Sequence, residues 1–240
     1  MALLETKELS KHFGGLSALS NVTLEVEKGE VVGIIGPNGA GKTTLYNCVT
    51  GFYKPTSGKV MFEGKDITGL PNHKICRLGI ARTFQIPRSF LNLTLLENVT
   101  VGALGRGASL REARQSAKEI VSFLMLDEYA DLPVGKLNFN YRRRCEVARA
   151  LATNPKLLLL DEAFAGLNPT EIDDMIEIVR KIRAEGLTII LTEHVMKVVM
   201  SLAERIIVLH QGKLIAEGPP EKIASDSSVI EAYLGEKYFV

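Results

Sequence analysis

The stretch that most constrains this chain is Gly36-Pro-Asn-Gly-Ala-Gly-Lys-Thr43. It follows the apolar run Val31-Val-Gly-Ile-Ile35 and leads into Thr44-Leu-Tyr-Asn-Cys-Val49. A buried strand must therefore turn sharply through glycines into a helix, which closes near Gly51. The loop has the spacing G-x-x-x-x-G-K-[ST], whose backbone N–H groups converge on phosphate oxygens while the helix N-terminus adds partial positive charge. Lys42 is expected to reach the β- and γ-phosphates of a nucleotide, and the Thr43 hydroxyl to ligate Mg²⁺. A glycine-rich turn holding a lysine by chance would not explain the strand before it and the helix after it.

The rest of the chain can be read outward from that loop. Residues 3 to 30 alternate apolar and polar in short runs with turns at Gly14-Gly15 and Lys28-Gly29, the pattern of a small antiparallel sheet. Lys54 to Gly58 reads as a turn into a second hairpin, Val60 to Glu63, with Gly64-Lys-Asp66 at its tip. A short helix after Pro71 and a strand Gly79 to Phe84 follow. From about Thr94 to Leu132 the character changes, with Leu110, Ala113, Ala117, Ile120, Val121 and Leu124 at helical spacing and no buried strand. Strand and helix signals then alternate again. Leu157 to Leu160 and Leu187 to Thr192 read as buried strands, and Asn168-Pro-Thr-Glu171 as a helix start with Asn at the cap. Val195 to Leu202 reads as another helix, and Arg205 to Leu209 and Lys213 to Ala216 as late strands. Such alternation implies a parallel sheet covered on both faces. The expected fold is an α/β P-loop NTPase (RecA-like) core with an N-terminal antiparallel β subdomain and an inserted α-helical subdomain. Residues 1–240 form one domain, with 1–92 and 155–240 as the core and 93–154 as the helical part.

Asp161 and Glu162 end the leucine strand where α/β sheets place their ligands. Asp161 is suited to hold Mg²⁺, directly or through water, and Glu162 to polarise an attacking water. Two acids could simply terminate a strand, but the upstream phosphate loop favours the catalytic reading. Net charge is +1 with acids and bases intermixed, which gives no nucleic-acid footprint. No run approaches the roughly 18 apolar residues of a membrane span, and Met1 to Glu5 has no secretory pattern. The three cysteines, Cys48, Cys76 and Cys145, lack metal-ligand spacing and are expected as reduced thiols.

In this order of elements the chain resembles the nucleotide-binding subunits of ATP-binding cassette (ABC) transporters along nearly its whole length. The resemblance implies roles for specific residues. Phe13 matches the aromatic residue that stacks on adenine, and Asn38, Gly39, Ala40, Gly41, Lys42, Thr43 and Thr44 bind the phosphates. Gln85, in Arg82-Thr-Phe-Gln85, matches the glutamine that senses Mg²⁺ and the attacking water. His194 matches the switch histidine on the γ-phosphate. Glu162, His194 and Gln85 are thus the catalytic set, and Thr43, Gln85 and Asp161 the metal set. Phe13-Gly-Gly-Leu16, Asn47 to Phe52, Gly166-Leu-Asn-Pro169, Glu193-His-Val-Met196 and Ala232-Tyr-Leu-Gly235 resemble the ATPases of branched-chain amino-acid importers. That subfamily implies ATP and Mg²⁺, a second ATPase subunit, two transmembrane permease subunits and an extracytoplasmic substrate-binding protein. It also implies a cytoplasmic place on the inner face of the cell membrane.

One motif departs from the family. The signature L-S-[GY]-G-Q, which in a sandwich dimer closes over the nucleotide of the other subunit, aligns with Leu137-Asn-Phe-Asn-Tyr141. The Asn138 amide can donate where the serine hydroxyl did. Asn140 tolerates positive φ and makes a good N-cap. A side chain in place of glycine, however, holds phosphate off. Three changes together predict a weakened cap, hence a heterodimer rather than a homodimer. Ala163, where the family has proline, and Asn168, where many members have aspartate, are minor departures. The run Arg142 to Arg144 reads as a solvated helix face. The competing function is a nucleotide-binding regulatory or dimerisation subunit that seldom hydrolyses. A soluble kinase would leave Gln85 and His194 without a purpose, and a DNA-repair ATPase would need coiled-coil arms that this chain lacks.

Overall fold

The computed structural model of the chain describes residues 2–86 and 88–237. Met1, Pro87 (two residues beyond Gln85) and residues 238–240 of the expected domain lie outside the described residues. The chain opens with a hairpin, β1 (Leu4–Phe13) and β2 (Leu16–Val26), and β3 (Val31–Ile35) then feeds α1 (Lys42–Val49). A second hairpin, β4 (Ser57–Phe62) and β5 (Lys65–Asp66), precedes α2 (Asn72–Leu78) and β6 (Ile80–Arg82). Three helices follow with no strand between them: α3 (Leu95–Leu104), α4 (Leu110–Phe123) and α5 (Phe139–Ala152). Alternation resumes with β7 (Leu157–Asp161), α6 (Pro169–Ala184), β8 (Thr188–Thr192) and α7 (Met196–Leu202). β9 (Arg205–His210), β10 (Lys213–Gly218), α8 (Pro220–Ala224) and α9 (Ser227–Lys237) complete it.

Two sheets result. β2-β1-β4-β5 is antiparallel, and β10-β9-β3-β8-β7-β6 is parallel except for its β10 edge. Every residue of β3, β7 and β8 is buried, as strands covered on both faces must be. The two-residue period of a strand sorts their side chains into two cores. Val31, Ile35, Leu158, Leu160, Ile189 and Leu191 pack with α5 and α6 on one face. Val32, Ile34, Leu157, Leu159 and Ile190 pack with α1 and the antiparallel sheet on the other.

Helix starts follow local chemistry. α3, α4 and α6 open on capping boxes, Thr94 with Glu97, Ser109 with Glu112 and Asn168 with Glu171, the last with Pro169 in the first turn. β6 is shorter than the Gly79 to Phe84 strand expected. Thr83 still donates its amide to the Leu159 carbonyl at 2.9 Å, but Phe84 turns to side chains of α5 instead of to β7. The chain thus leaves the sheet just before Gln85, beside the ends of β3 and β7.

Candidate active site

The phosphate loop is wedged between strands. Gly36 has φ +150°, and a Cβ there would lie 2.1 Å from the Leu209 carbonyl oxygen of β9. Gly41, at φ +107°, would bring a Cβ to 2.7 Å from the Ala18 carbonyl oxygen of β2. Only glycine permits both the left-handed backbone and the approach. The Lys42 ammonium donates to the loop carbonyls of Gly36 and Pro37, the latter at 3.0 Å. A cavity of about 530 Å³ opens here, lined by Phe13, residues 38–44, Gln85 and Glu162 together with Leu16, Ser17, Ala18 and Gln211. The Phe13 ring is half exposed and has Tyr53 edge-on at 5.1 Å between centroids and the Lys11 ammonium at 4.9 Å.

Glu162 adopts φ +47°, uncommon for a residue with a side chain and costly unless its surroundings enforce it. Its amide donates to the Thr192 carbonyl at 2.9 Å, which fixes the turn at the end of β7. Its carboxylate is bracketed. The Gln85 amide nitrogen donates to one oxygen at 2.6 Å, and His194 Nε2 lies 3.3 Å from the other. Residues from three distant parts of the sequence therefore meet on one carboxylate at the cavity wall. His194 and Asp161 do not themselves line the cavity.

Asp161 is buried, and both its oxygens are engaged. Oδ1 accepts from the Thr192 hydroxyl at 2.8 Å, and Oδ2 pairs with the Arg82 guanidinium at 2.6 Å. Its amide donates to the Thr83 hydroxyl at 3.1 Å. The donors expected to face a divalent cation are all hard oxygens, which suits Mg²⁺, an ion that keeps several waters and takes few protein ligands. With the Gln85 nitrogen turned to Glu162, the amide oxygen is left as donor, so Thr43 and Gln85 fit the ion at the cavity. Asp161, with both oxygens engaged, would have only its remaining lone pairs or a bridging water to offer such an ion.

The signature region differs from expectation in two respects. The N-cap of α5 is Asn138, whose Oδ1 accepts the Tyr141 amide at 3.0 Å. Asn140 is no cap and has no positive φ. It lies in the first turn of the helix with its side chain buried and Oδ1 without a protein partner. Tyr141 stacks on Tyr129, 3.9 Å between centroids, and the two hydroxyls are hydrogen-bonded at 2.7 Å.

The expected solvated face at Arg142 to Arg144 is overturned. Arg143 and Arg144 are 2% and 7% exposed. Arg143 donates to the carbonyls of Phe84 at 2.7 Å and Gln85 at 2.5 Å. Glu146, also buried, accepts the Phe84 amide at 3.1 Å, and burial raises its carboxyl pKa. Arg149 Nη1 donates to the Arg88 carbonyl at 2.6 Å. A helix at residue spacing 3 thus grips the main chain of the Gln85 segment by both polarities. Charge alone suggested solvent, but Arg143 finds Glu146 and the main-chain carbonyls of the Gln85 segment, and Arg144 pairs with Asp174 at 3.1 Å. Apart from Glu146, these partners lie far along the sequence or carry no side-chain signal.

Glu193 was likewise not singled out for a role. Its carboxylate accepts the Phe164 amide at 2.9 Å. Burial, aided by nearby Glu162, pushes its pKa up to about 7. It ties the segment after Glu162 to the one carrying His194.

The chain resembles known proteins along nearly its whole length. A family profile described as "ABC transporter" matches residues 19–165, and one described as "Branched-chain amino acid ATP-binding cassette transporter" matches residues 213–238. The chain is 44% identical to the high-affinity branched-chain amino acid transport ATP-binding protein BraF of Pseudomonas aeruginosa over 250 aligned positions, which cover 98% of each chain. It is 42% identical, at the same coverage, to LivG of Escherichia coli K12, which carries the same description. Among solved structures, a nucleotide-free ATP-binding cassette from an ABC transporter superposes with TM-score 0.90 at 36% identity, covering 97% of this chain and 99% of that one. The ADP conformation of an ABC transporter cassette gives 0.88 at 36% identity, covering 98% and 99%.

Proposed function

This chain belongs to the ABC transporter family of ATP-binding cassettes and is an ATPase; we propose that it energises a membrane importer of branched-chain or other hydrophobic amino acids. The reading is carried by one observation, the Glu162 carboxylate held between Gln85 and His194 at the wall of the phosphate-loop cavity. ATP enters with its phosphates on residues 38–44 and its base against Phe13. Lys42 exchanges neutral loop carbonyls for phosphate oxygens, a stronger, charge-assisted contact. Thr43, Gln85 and Asp161 would hold Mg²⁺, which offsets charge on the phosphoryl oxygens when bound. Glu162 orients the attacking water and draws on its proton, while Gln85 and His194 fix the carboxylate.

The partners follow from the same reading. A second ATPase subunit supplies the signature that caps this site, and a heterodimer is favoured because this chain's own cap is altered at Asn138, Asn140 and Tyr141. Two permease subunits sit at the membrane, served by an extracytoplasmic binding protein, and the chain works from the inner face. No helix among the described residues is long and apolar enough to cross a membrane. An apolar groove of about 520 Å³ beside the Gln85 segment, with Phe52, Phe84 and Phe90 in its wall, is the place for a permease helix. A binding-only regulatory role has less support, since the relatives at more than 40% identity are described as transport ATP-binding proteins.

The test is Glu162→Gln in the chain co-expressed with its partner ATPase, read by ATP binding and phosphate release, with the native chain assayed alone alongside. Binding should persist and turnover stop in the variant, and the native chain alone should hydrolyse slowly. Undiminished turnover in the variant removes Glu162 from its role, and rapid hydrolysis by the chain alone removes the heterodimer.

A further inference from the structure

The Arg82 side chain, 7% exposed at the end of β6, has no part in the reaction as described. One guanidinium nitrogen meets Asp161 Oδ2 at 2.6 Å, and another meets Asn47 Oδ1 at 2.5 Å. Asn47 lies one helical turn beyond Thr43 on α1, so the arginine spans from the Mg²⁺ carboxylate to the helix bearing the Mg²⁺ hydroxyl. Its plane lies among aromatic rings, 5.4 Å from Tyr46 and 5.3 Å from Phe84. Nε has no partner, so Asp161 and Asn47 alone direct the polar end.

We propose that Arg82 is a positioning residue that masks the charge of Asp161, so that this chain takes up a divalent cation only together with nucleotide phosphates. In a buried setting a cation in contact with a carboxylate cancels most of its field. A metal approaching Asp161 then meets a pair near neutrality, with fixed positive charge close behind. The Thr43 hydroxyl and the Gln85 amide are neutral ligands and cannot make up the deficit, and the Glu162 carboxylate on the cavity wall is already engaged at both oxygens by Gln85 and His194. The larger part of the attraction then comes from the triphosphate. The consequence is order: an empty site does not trap magnesium, and metal arrives with the substrate it serves.

This rests on the assignment of Asp161 to the metal, and the experiment separates the two claims. Mn²⁺ serves as the probe, titrated into the whole chain and followed by the loss of its free-ion paramagnetic resonance signal. The native chain should retain Mn²⁺ with ADP and not without it. Arg82→Gln should bind Mn²⁺ without nucleotide at least about tenfold more tightly than the native chain, because an unmasked buried carboxylate has no other counter-charge. Its urea midpoint should rise with Mn²⁺, and adding Asp161→Asn should remove both effects. Arg82→Lys, which keeps the charge but loses the two-pronged contact, should fall between native and glutamine variants and serves if the latter does not fold. An arginine that only holds β6, β7 and α1 together would lower stability equally with and without metal. No tightening in either soluble variant, or Mn²⁺ retention by the nucleotide-free native chain, overturns the proposal. If Asp161→Asn leaves Mn²⁺ retention with ADP unchanged, the assignment of Asp161 itself fails.

Discussion

Glu193→Gln is the sharpest test of the electrostatics behind the site. The native carboxyl is 2% exposed, accepts the Phe164 amide, and has its pKa raised by burial from 4.5 to about 7. In the unfolded chain it ionises near its ordinary value. Between those two values the folded protein holds a proton that the unfolded chain has already released. Stability therefore falls as pH rises through this window, and the loss is complete above the folded pKa. A shift of about 2.5 units at 1.36 kcal/mol each gives a loss of about 3 kcal/mol. Glutamine keeps the volume and the acceptor oxygen for Phe164 but cannot ionise. At pH 5 the variant should already be more stable than the native chain by about 1 kcal/mol, and at pH 8 by about 3 kcal/mol. Urea unfolding of both proteins at pH 5, 6, 7 and 8 measures the difference, in which all other titrating groups cancel. A difference that does not change with pH would refute the reasoning, because it would mean that Glu193 has the same pKa in both states.

Three further substitutions probe the frame. Arg143→Ala leaves the Phe84 and Gln85 carbonyls without this donor and leaves Glu146 only Arg149 as counter-charge, and should cost about 3–5 kcal/mol in urea unfolding. Arg143→Lys should keep the fold and ATP affinity while lowering turnover in the assembled complex, because one grip on the Gln85 segment is lost. Gly36→Ala puts a Cβ at 2.1 Å from the Leu209 carbonyl in a left-handed residue, and should cost about 3 kcal/mol or more and abolish nucleotide binding by equilibrium titration.

What the sequence made legible is what recurs at fixed spacing. The phosphate loop could be read because its glycines, lysine and threonine are contiguous, and α6 because Asn168, Pro169 and Glu171 form a complete start signal. Glu162 could be placed at a strand end, but its left-handed backbone could not, since φ there is dictated by the Thr192 carbonyl 30 residues away. Arg82, Arg143 and Glu146 were invisible for a common reason. Each is a charged residue buried against main chain or against a partner far along the sequence, where composition argues for solvent. The strand at residues 79–84 ran short for the same cause, as Glu146 and Arg143 take the peptide groups that β7 would otherwise have paired.

The altered signature can now be weighed position by position. Asn138 uses its oxygen to cap α5, as a serine would, and its amide nitrogen remains available as a donor. Asn140 is in helical conformation with its side chain directed into the protein, so the objection that a Cβ would stand in the way of phosphate loses its force. What the cap has lost is narrower: the amide of the family's glutamine, replaced by a tyrosine that stacks on Tyr129, and the mobility of a glycine. A loop with its cap intact but one donor fewer should close on the partner's ATP more weakly without failing to close. The same helix that carries this loop also grips the Gln85 segment through Arg143 and Glu146. Whatever displaces that segment should therefore move the signature with it.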